Sequence, residues 1–386
     1  MDCIYLDNNA TTPLDPRVFE GLEPYCKEFF GNPSSKHDYG YKAHAAVLKG
    51  RKRVADLIGT KALNILFTSG ATESNNMVVL GKVMKYLPFF NPDIDKDSKI
   101  HIITSCVEHK CILETCKRAE QWGAEVTYLP VNQHGQIEIA DLEKAIRPHT
   151  KLVSLIFANN EIGSINPIKE IGEMCHAHGI TFHTDAAQAV GKVDIDVEEM
   201  HIDLLSMSGH KIYGPKGIGA LYVREGLDFT PMTLGGGQEQ GFRSGTHNVA
   251  GIVGLGLACE VAALDKEKDD KNLSEMRQWL CREILSNIPG SRLNGHPKER
   301  LHGNLSISFE GLSAKMFSKE LRDIAFSTSS ACSSGAPKPS YVLKAIGLSD
   351  ELAMSTIRFG LGRFTTWEEV KFAAEKVINL AKQKSN

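Results

Sequence analysis

At 386 residues, with 42% hydrophobic and 24% charged side chains, the chain is long enough for two or three domains around a large buried core. A formal net charge of −3 removes the electrostatic case for nucleic acid or an anionic membrane as partner. The start, Met1-Asp2-Cys3-Ile4-Tyr5-Leu6-Asp7, has neither a basic n-region nor an apolar h-region, and no apolar run approaches the roughly 20 residues that cross a bilayer. A cytoplasmic protein is the expectation.

From residue 65 onward, short runs rich in Ile, Val, Leu, Phe and Thr predict strands over 65–68, 100–105, 152–158, 180–185, 204–208 and 218–223. Helical patterns lie between them; the one over 167–178 has Pro167 at its start and Gly179 as its stop. Residues 87–99, with Pro88, Pro92 and several charges, read as a surface insertion. Past 260 the texture changes to a charged helix over 264–287, a strand over 304–309 and a helix near 315–324. A Ser/Gly/Pro-rich loop over 327–340, a strand over 356–360 and a closing helix from Thr366 complete the chain. Continuous apolar strands alternating with helices predict an α/β fold with a mostly parallel sheet flanked by helices. The expected division is a large domain over 14–260 and a smaller α+β domain from 1–13 and 261–386.

Nine cysteines occur without a C-x-x-C pair, which argues against a disulfide framework and a structural zinc site, so no metal is expected. Cys106, Cys111 and Cys116 recur every five residues and read as buried or half-buried thiols.

Three strand ends carry chemistry. Lys211, in Ser208-Gly209-His210-Lys211, directly follows an apolar strand, where ammonium groups are rare; a lysine there is either a turn residue or a nucleophilic amine able to form an imine. Asp185, in His183-Thr184-Asp185-Ala186-Ala187-Gln188, either caps a helix or pairs with a protonated pyridine nitrogen, with Gln188 near a ring hydroxyl. Thr68-Ser69-Gly70-Ala71-Thr72-Glu73 opens a helix with small residues. It serves either as a cap or as a phosphate cup to which Ser208 and His210 add donors. Loops at the carboxyl ends of strands converge where ligands bind in open α/β sheets. No G-x-G-x-x-G or G-x-x-x-x-G-K-[ST] is present to suggest a nucleotide site.

Over nearly its full length the chain resembles the cysteine desulfurase family of fold-type I, class V aminotransferase-like enzymes that use pyridoxal 5′-phosphate (PLP). The likeness is carried by Tyr5-Leu6-Asp7-Asn8-Asn9-Ala10-Thr11-Thr12, Phe30-Gly31-Asn32-Pro33-Ser34-Ser35, residues 67–75, Glu108-His109, Asn159-Asn160-Glu161-Ile162-Gly163, and residues 183–188, 208–217 and 235–246. The resemblance implies that Lys211 holds PLP, that Asp185 and Gln188 contact the ring, and that His109 stacks on it and assists proton transfer. It implies a phosphate site of Ala71, Thr72, Ser208 and His210, completed by Thr246 of a neighbouring subunit in a homodimer.

Two further residues define the reaction. Cys332 lies in a polar loop that is out of place for a structural thiol. By resemblance it is the cysteine that takes sulfur from L-cysteine as a persulfide, leaving L-alanine. Arg358 stands mid-strand among apolar residues and needs an anion, either a substrate carboxylate or an internal ion pair. Asn160 is expected beside the same carboxylate or the ring oxygen. The persulfide is expected to pass to an acceptor such as an iron–sulfur scaffold or a tRNA-thiolation partner. Family members that feed a scaffold often continue beyond the last helix, whereas this sequence stops at Asn386. The rival within the fold is a selenocysteine lyase, and the rival outside it a non-catalytic binding subunit. Asn8-Asn9, where many members carry Tyr-Ser, is a departure with no evident chemical cost.

Overall fold

The structure is a computed structural model that describes residues 3–328 and 338–385. Its strands in chain order are β1 (Ile4–Tyr5), β2 (Ile65–Thr68), β3 (His101–Ser105), β4 (Glu125–Leu129), β5 (Thr150–Ile156), β6 (Thr181–Asp185), β7 (Leu204–Ser208), β8 (Gly219–Val223), β9 (Ser291–Leu293), β10 (Asn304–Phe309), β11 (Ile324–Ala325), β12 (Ser327–Thr328) and β13 (Thr356–Gly360). The principal helices are α1 (Pro16–Lys27), α2 (Asp38–Leu57), α3 (Ala71–Tyr86), α4 (Lys110–Gln121), α5 (Ile139–Ala145), α6 (Ile168–Ala177) and α7 (Val249–Asn287). The short α8 (Ala314–Glu320), α9 (Tyr341–Ala345) and α10 (Asp350–Met354) precede the closing α11 (Trp367–Ser385).

Seven strands form one sheet in the order β2-β8-β7-β6-β5-β3-β4, parallel from β7 to β4 and antiparallel where β8 joins β7 and β2. β6, β7 and β8 are buried almost throughout because helices cover both faces, which is why they read as continuous apolar runs. α6 stops as expected: Gly179 takes φ +63, and the Ile180 N–H closes onto the Cys175 carbonyl at 2.9 Å. β4 was not anticipated, because an edge strand that is half-buried lacks the apolar run. A second, antiparallel sheet has the order β12-β13-β10-β9, and β1 pairs in parallel with β11.

The helix expected over 264–287 is longer than its charged part. α7 begins at Val249 and runs 39 residues, so the expected boundary at 260 falls inside it. Its first turns carry Gly251, Gly254 and Gly256, each of which costs roughly 1 kcal/mol in a helix and hides the pattern. Packing outweighs that cost. A Cβ on Gly256 would meet the Gly50 Cα at 2.7 Å, so α2 and α7 pack with their backbones close together.

Two ion-pair clusters fix the elements that carry the strand-end loops. Arg363, 8% exposed at its side chain, bonds Asp15 (3.0 Å) and Asp269 (2.8 Å) and lies over the Tyr213 ring at 4.5 Å, two residues past Lys211. Deep under β2, Glu239 accepts both Arg51 amino groups at 2.7 Å, the Phe67 N–H at 2.9 Å and His247 Nε2 at 2.7 Å. Burial works to raise the Glu239 carboxyl, but the Arg51 and His247 bonds and the Arg51 charge hold it at about 2. Glu239→Gln leaves the Arg51 guanidinium buried without its counter-charge and should cost about 3–5 kcal/mol at pH 7, read from the denaturant midpoint. The native carboxyl titrates below its ordinary 4.5, so the stabilisation is complete above that value and is lost as pH falls toward about 2. The deficit of the variant should shrink over that same window.

Candidate active site

The carboxyl ends of β2, β6 and β7 open into one cavity of about 660 Å³, a size suited to a cofactor with a small substrate. Of the residues singled out from the sequence, Ala71, Thr72, His109, Asn160, Asp185, Gln188, Ser208, His210, Lys211 and Arg358 all line it. Thr246 does not: it lies exposed on an adjoining cleft with Gly245, Arg243 and Asn248. Cys332 falls in 329–337, outside the described residues. The residues on either side of that stretch, Thr328 and Lys338, line a neighbouring cleft of about 380 Å³ that shares Asn160 and Arg358 with the main cavity.

Lys211 ends the short turn after β7, and its Nζ donates to the Asn9 and Ala10 carbonyls, both at 2.7 Å. Burial first, then repulsion from Arg358, lowers its amine to about 8 against the pull of Asp185 and Asp7. A sizeable neutral fraction near pH 7 to 8 is what a nucleophilic amine needs. The segment supplying those carbonyls is tied down on both sides: the Thr12 N–H bonds the His210 carbonyl at 2.9 Å, and the Asn8 N–H bonds the Gly360 carbonyl at 3.0 Å.

Asp185 closes β6. Its Oδ1 accepts the Ala187 N–H at 3.0 Å and its Oδ2 accepts Asn75 Nδ2 at 2.8 Å, leaving lone pairs for a cationic nitrogen. Asn75 also donates to Cys111 Sγ at 3.1 Å, and its own Oδ1 is buried without a partner among the described residues. The Cys111 backbone N–H and Sγ both lie on His109 Nδ1, at 3.2 and 3.0 Å. The amide N–H can only donate, so Nδ1 carries no proton and neutral His109 is the Nε2–H tautomer. Burial, reinforced by Lys211 and Lys110, lowers the His109 pKa although Asp185 opposes it. Burial also pushes the Cys111 thiol up to about 12, so it stays protonated. The five-residue cysteine spacing therefore hid two environments: Cys116 is core, whereas Cys111 belongs to the cavity wall. Among the described residues no group of three or more His, Cys, Asp and Glu forms a metal site.

At the mouth of α3 the N-cap Gly70 makes no side-chain cap, so the first-turn amides are left for a ligand. A Cβ on Gly219 would come within 2.6 Å of the Gly70 Cα, which explains glycine where β8 passes the cup. Burial, with Lys211, Lys216 and Lys192, lowers His210 to about 4; its Nδ1 meets Thr11 Oγ1 at 3.1 Å. Glu73, in the first turn, instead bonds the Ser69 N–H (2.6 Å) and Arg243 (2.8 Å), which holds the neighbouring cleft against the cup.

Of the two alternatives left open by the sequence, Arg358 has the internal ion pair. It lines the cavity, and its anion within the chain is Asp7, with Nη2 at 2.8 Å from Oδ1 and also 2.8 Å from Ser327 Oγ. Nη1 donates to the Asn160 carbonyl at 3.0 Å, while the buried Nε has no partner among the described residues. Asn160 thus positions Arg358 by its backbone. Gln188 is held by Asn9, its Nε2 donating to the Asn9 carbonyl at 2.8 Å.

These residues fit a group carrying a phosphate, a basic ring nitrogen and an aldehyde: free helix amides and hydroxyls, a doubly supported carboxylate, and an amine of lowered basicity. PLP is such a group.

The chain is similar to known proteins over nearly its whole length. Residues 4–372 match the family model described as aminotransferase class-V. "Cysteine desulfurase" of Mus musculus is 47% identical over 383 residues, 98% of this chain and 82% of the relative. Among solved structures, a "NifS-like protein" superposes with a TM-score of 0.90 at 34% identity, covering 99% of this chain and 100% of the other. "SspA in complex with cysteine" does so with a TM-score of 0.82 at 39% identity, covering 94% and 100%.

Proposed function

We propose, since the chain belongs to the class-V aminotransferase family and within it to the cysteine desulfurases, that it removes sulfur from L-cysteine with PLP, giving L-alanine and a persulfide on Cys332. The carrying observation is that Lys211, Asp185 and the open N-terminus of α3 converge on one cavity. When bound, PLP supplies an electrophilic carbon and a ring that withdraws electrons from the substrate Cα.

The protein's own groups do the rest. The amides of Ala71 and Thr72, with Ser208 and His210, would take the phosphate, and Asp185 would keep a proton on the ring nitrogen. Lys211 would attach the cofactor and, once displaced by the substrate amine, carry a proton to and from Cα. Arg358, which lines the cavity, would share its guanidinium between Asp7 and the substrate carboxylate. His109, protonated on Nε2, is equipped to donate a proton on the substrate side. The Cys332 thiolate would attack the substrate sulfur, breaking its bond to Cβ and leaving the electron pair on the carbon fragment, which takes a proton on the way to L-alanine; residues at both ends of its segment line the cleft next to Arg358. The related protein solved with cysteine favours sulfur over selenium as the element transferred.

A second copy of the chain would bring its Thr246 to the phosphate, which accounts for the exposure of that residue on a separate cleft. Phe19, Phe30, Tyr39 and Tyr41, exposed near α1 and α2, offer apolar surface for such a homodimer. The eight described cysteines are free, which suits a reducing, cytoplasm-like compartment, and an iron–sulfur scaffold is the acceptor we favour. No helix among the described residues is long and apolar enough to cross a membrane.

The test is borohydride reduction with PLP followed by peptide mass spectrometry, then turnover on L-cysteine. Pyridoxyl phosphate should appear on Lys211. Cys332→Ser should keep the visible absorbance of the cofactor yet make no persulfide. Label on another lysine, or full persulfide output from that variant, would overturn the assignment.

A further inference from the structure

Lys192 has no part in the chemistry above, yet it lies directly behind the residue expected at the cofactor ring. Its Nζ is 3.3 Å from Gln188 Oε1, and among the described residues no carboxylate lies within ion-pair distance of it. The acidic groups nearby are committed elsewhere. Asp194 and Asp270 pair with Lys266, Asp270 also meets His302, and Asp269 pairs with Arg363. These groups, apart from Asp194 and Lys266, surround with Lys192 a cavity of about 40 Å³ on the far side of Asn9 from Lys211. That is room for about two or three waters. Burial first, then the charge of Lys211, lowers the Lys192 amine to about 7.

The hydrogen bonds around Gln188 have only one consistent direction. Oε1 accepts from Lys192 Nζ and from Asn9 Nδ2 at 3.4 Å, while Nε2 donates to the Asn9 carbonyl at 2.8 Å. Turning the amide over would set Nε2 against two donors and Oε1 against a carbonyl, so the reversed orientation is excluded. One N–H of Gln188 is then left over, on a residue that lines the Lys211 cavity. The Asn8-Asn9 departure acquires a purpose here. Asn9 borders both cavities, holds Gln188 from its side chain and its carbonyl, and takes Lys211 on the same carbonyl.

We propose that Lys192 is a positioning residue for the cofactor: with Asn9 it locks the Gln188 amide so that its remaining N–H meets the ring oxygen, and it places a positive charge behind that donor. The inference rests on the reading that PLP occupies the Lys211 cavity. Its consequence is thermodynamic as well as catalytic. A proton on the bound cofactor is held less tightly beside a cation, so loss of the Lys192 charge should raise the pH midpoint of the visible absorbance.

Apo wild type, Lys192→Met and Lys192→Gln are titrated with PLP by fluorescence, and the loaded proteins are then titrated from pH 6 to 10 by absorbance. Lys192→Met should weaken PLP binding about tenfold, the loss of one oriented hydrogen bond. It should also raise the spectral midpoint, by a few tenths of a unit, since an amine that titrates near 7 carries only part of its charge there. Lys192→Gln keeps a donor toward Gln188 without the charge, so it should recover the affinity and keep the raised midpoint. That second signature carries the test if the methionine variant does not fold. Wild-type affinity and midpoint in the variants overturn the proposal alone. A wild type that neither binds PLP nor develops the visible band overturns the functional reading, and this inference with it.

Discussion

Lys211→Ala should lower alanine production from L-cysteine at least about 10⁴-fold, because the residue is assigned both the covalent attachment and the proton transfer at Cα. The variant should still fold. The two bonds lost by removing Nζ are to the Asn9 and Ala10 carbonyls, which border an open cavity and can be rehydrated, so the stability change should stay within about 1 kcal/mol. It should also still bind PLP reversibly, since the α3 amides, Ser208 and Asp185 are untouched, while borohydride fixes nothing to the protein. The wild-type amine adds a pH signature. Burial and Arg358 lower Lys211 to about 8, and only the neutral amine attacks the aldehyde. The rate of PLP incorporation into apo protein should therefore rise with pH through about 8 and level off above it, followed by stopped-flow absorbance. Turnover of the alanine variant within tenfold of wild type would remove Lys211 from the chemistry.

What was legible beforehand follows from where information is local. β6 and β7 are buried on both faces, so their apolar runs identified a covered parallel sheet, and the polar residues that interrupt those runs, Asp185 and Lys211, stood out at strand ends. Pro167 and Gly179 bounded α6 because proline and glycine act on their own backbone. Partnerships distant in sequence were not legible. Arg358 announced its need for an anion, but nothing local pointed to Asp7, which is 351 positions away and reaches it because the N-terminal segment crosses to Gly360 on β13. The start of α7 was hidden by glycines whose value lies in contact with Gly50 and Pro215. Lys192 drew no reading from the sequence, because its burial and the lack of a carboxylate around it, among the described residues, depend on elements distant in the chain. Cys111 looked like one of three equivalent thiols until the N-terminus of α4 placed it on His109.

Asp185→Asn should lower kcat about 10²–10³-fold while leaving KM for cysteine nearly unchanged, the loss typical of removing one preorganised charge from the reacting system. The geometry makes the substitution cleanly interpretable. Asparagine keeps an oxygen for the Ala187 N–H, but its new amide nitrogen would face Asn75 Nδ2 where Asp185 Oδ2 stood at 2.8 Å. Asn75 has a buried oxygen with no partner, so a half-turn of its side chain presents that acceptor and restores the bond. The fold is thereby spared, and Arg358, the residue proposed for the substrate carboxylate, is untouched by the change. The half-turn also redirects the donor that now holds Cys111 Sγ at 3.1 Å, loosening the thiol beside His109. A second substitution separates the two effects. Cys111→Ser in the wild-type background should change kcat by less than about threefold, because the backbone N–H that fixes the His109 tautomer remains. Steady-state kinetics with a PLP-saturation control measure both variants. An Asp185→Asn protein that holds its cofactor and turns over within threefold of wild type would mean that the charge under the ring nitrogen is dispensable.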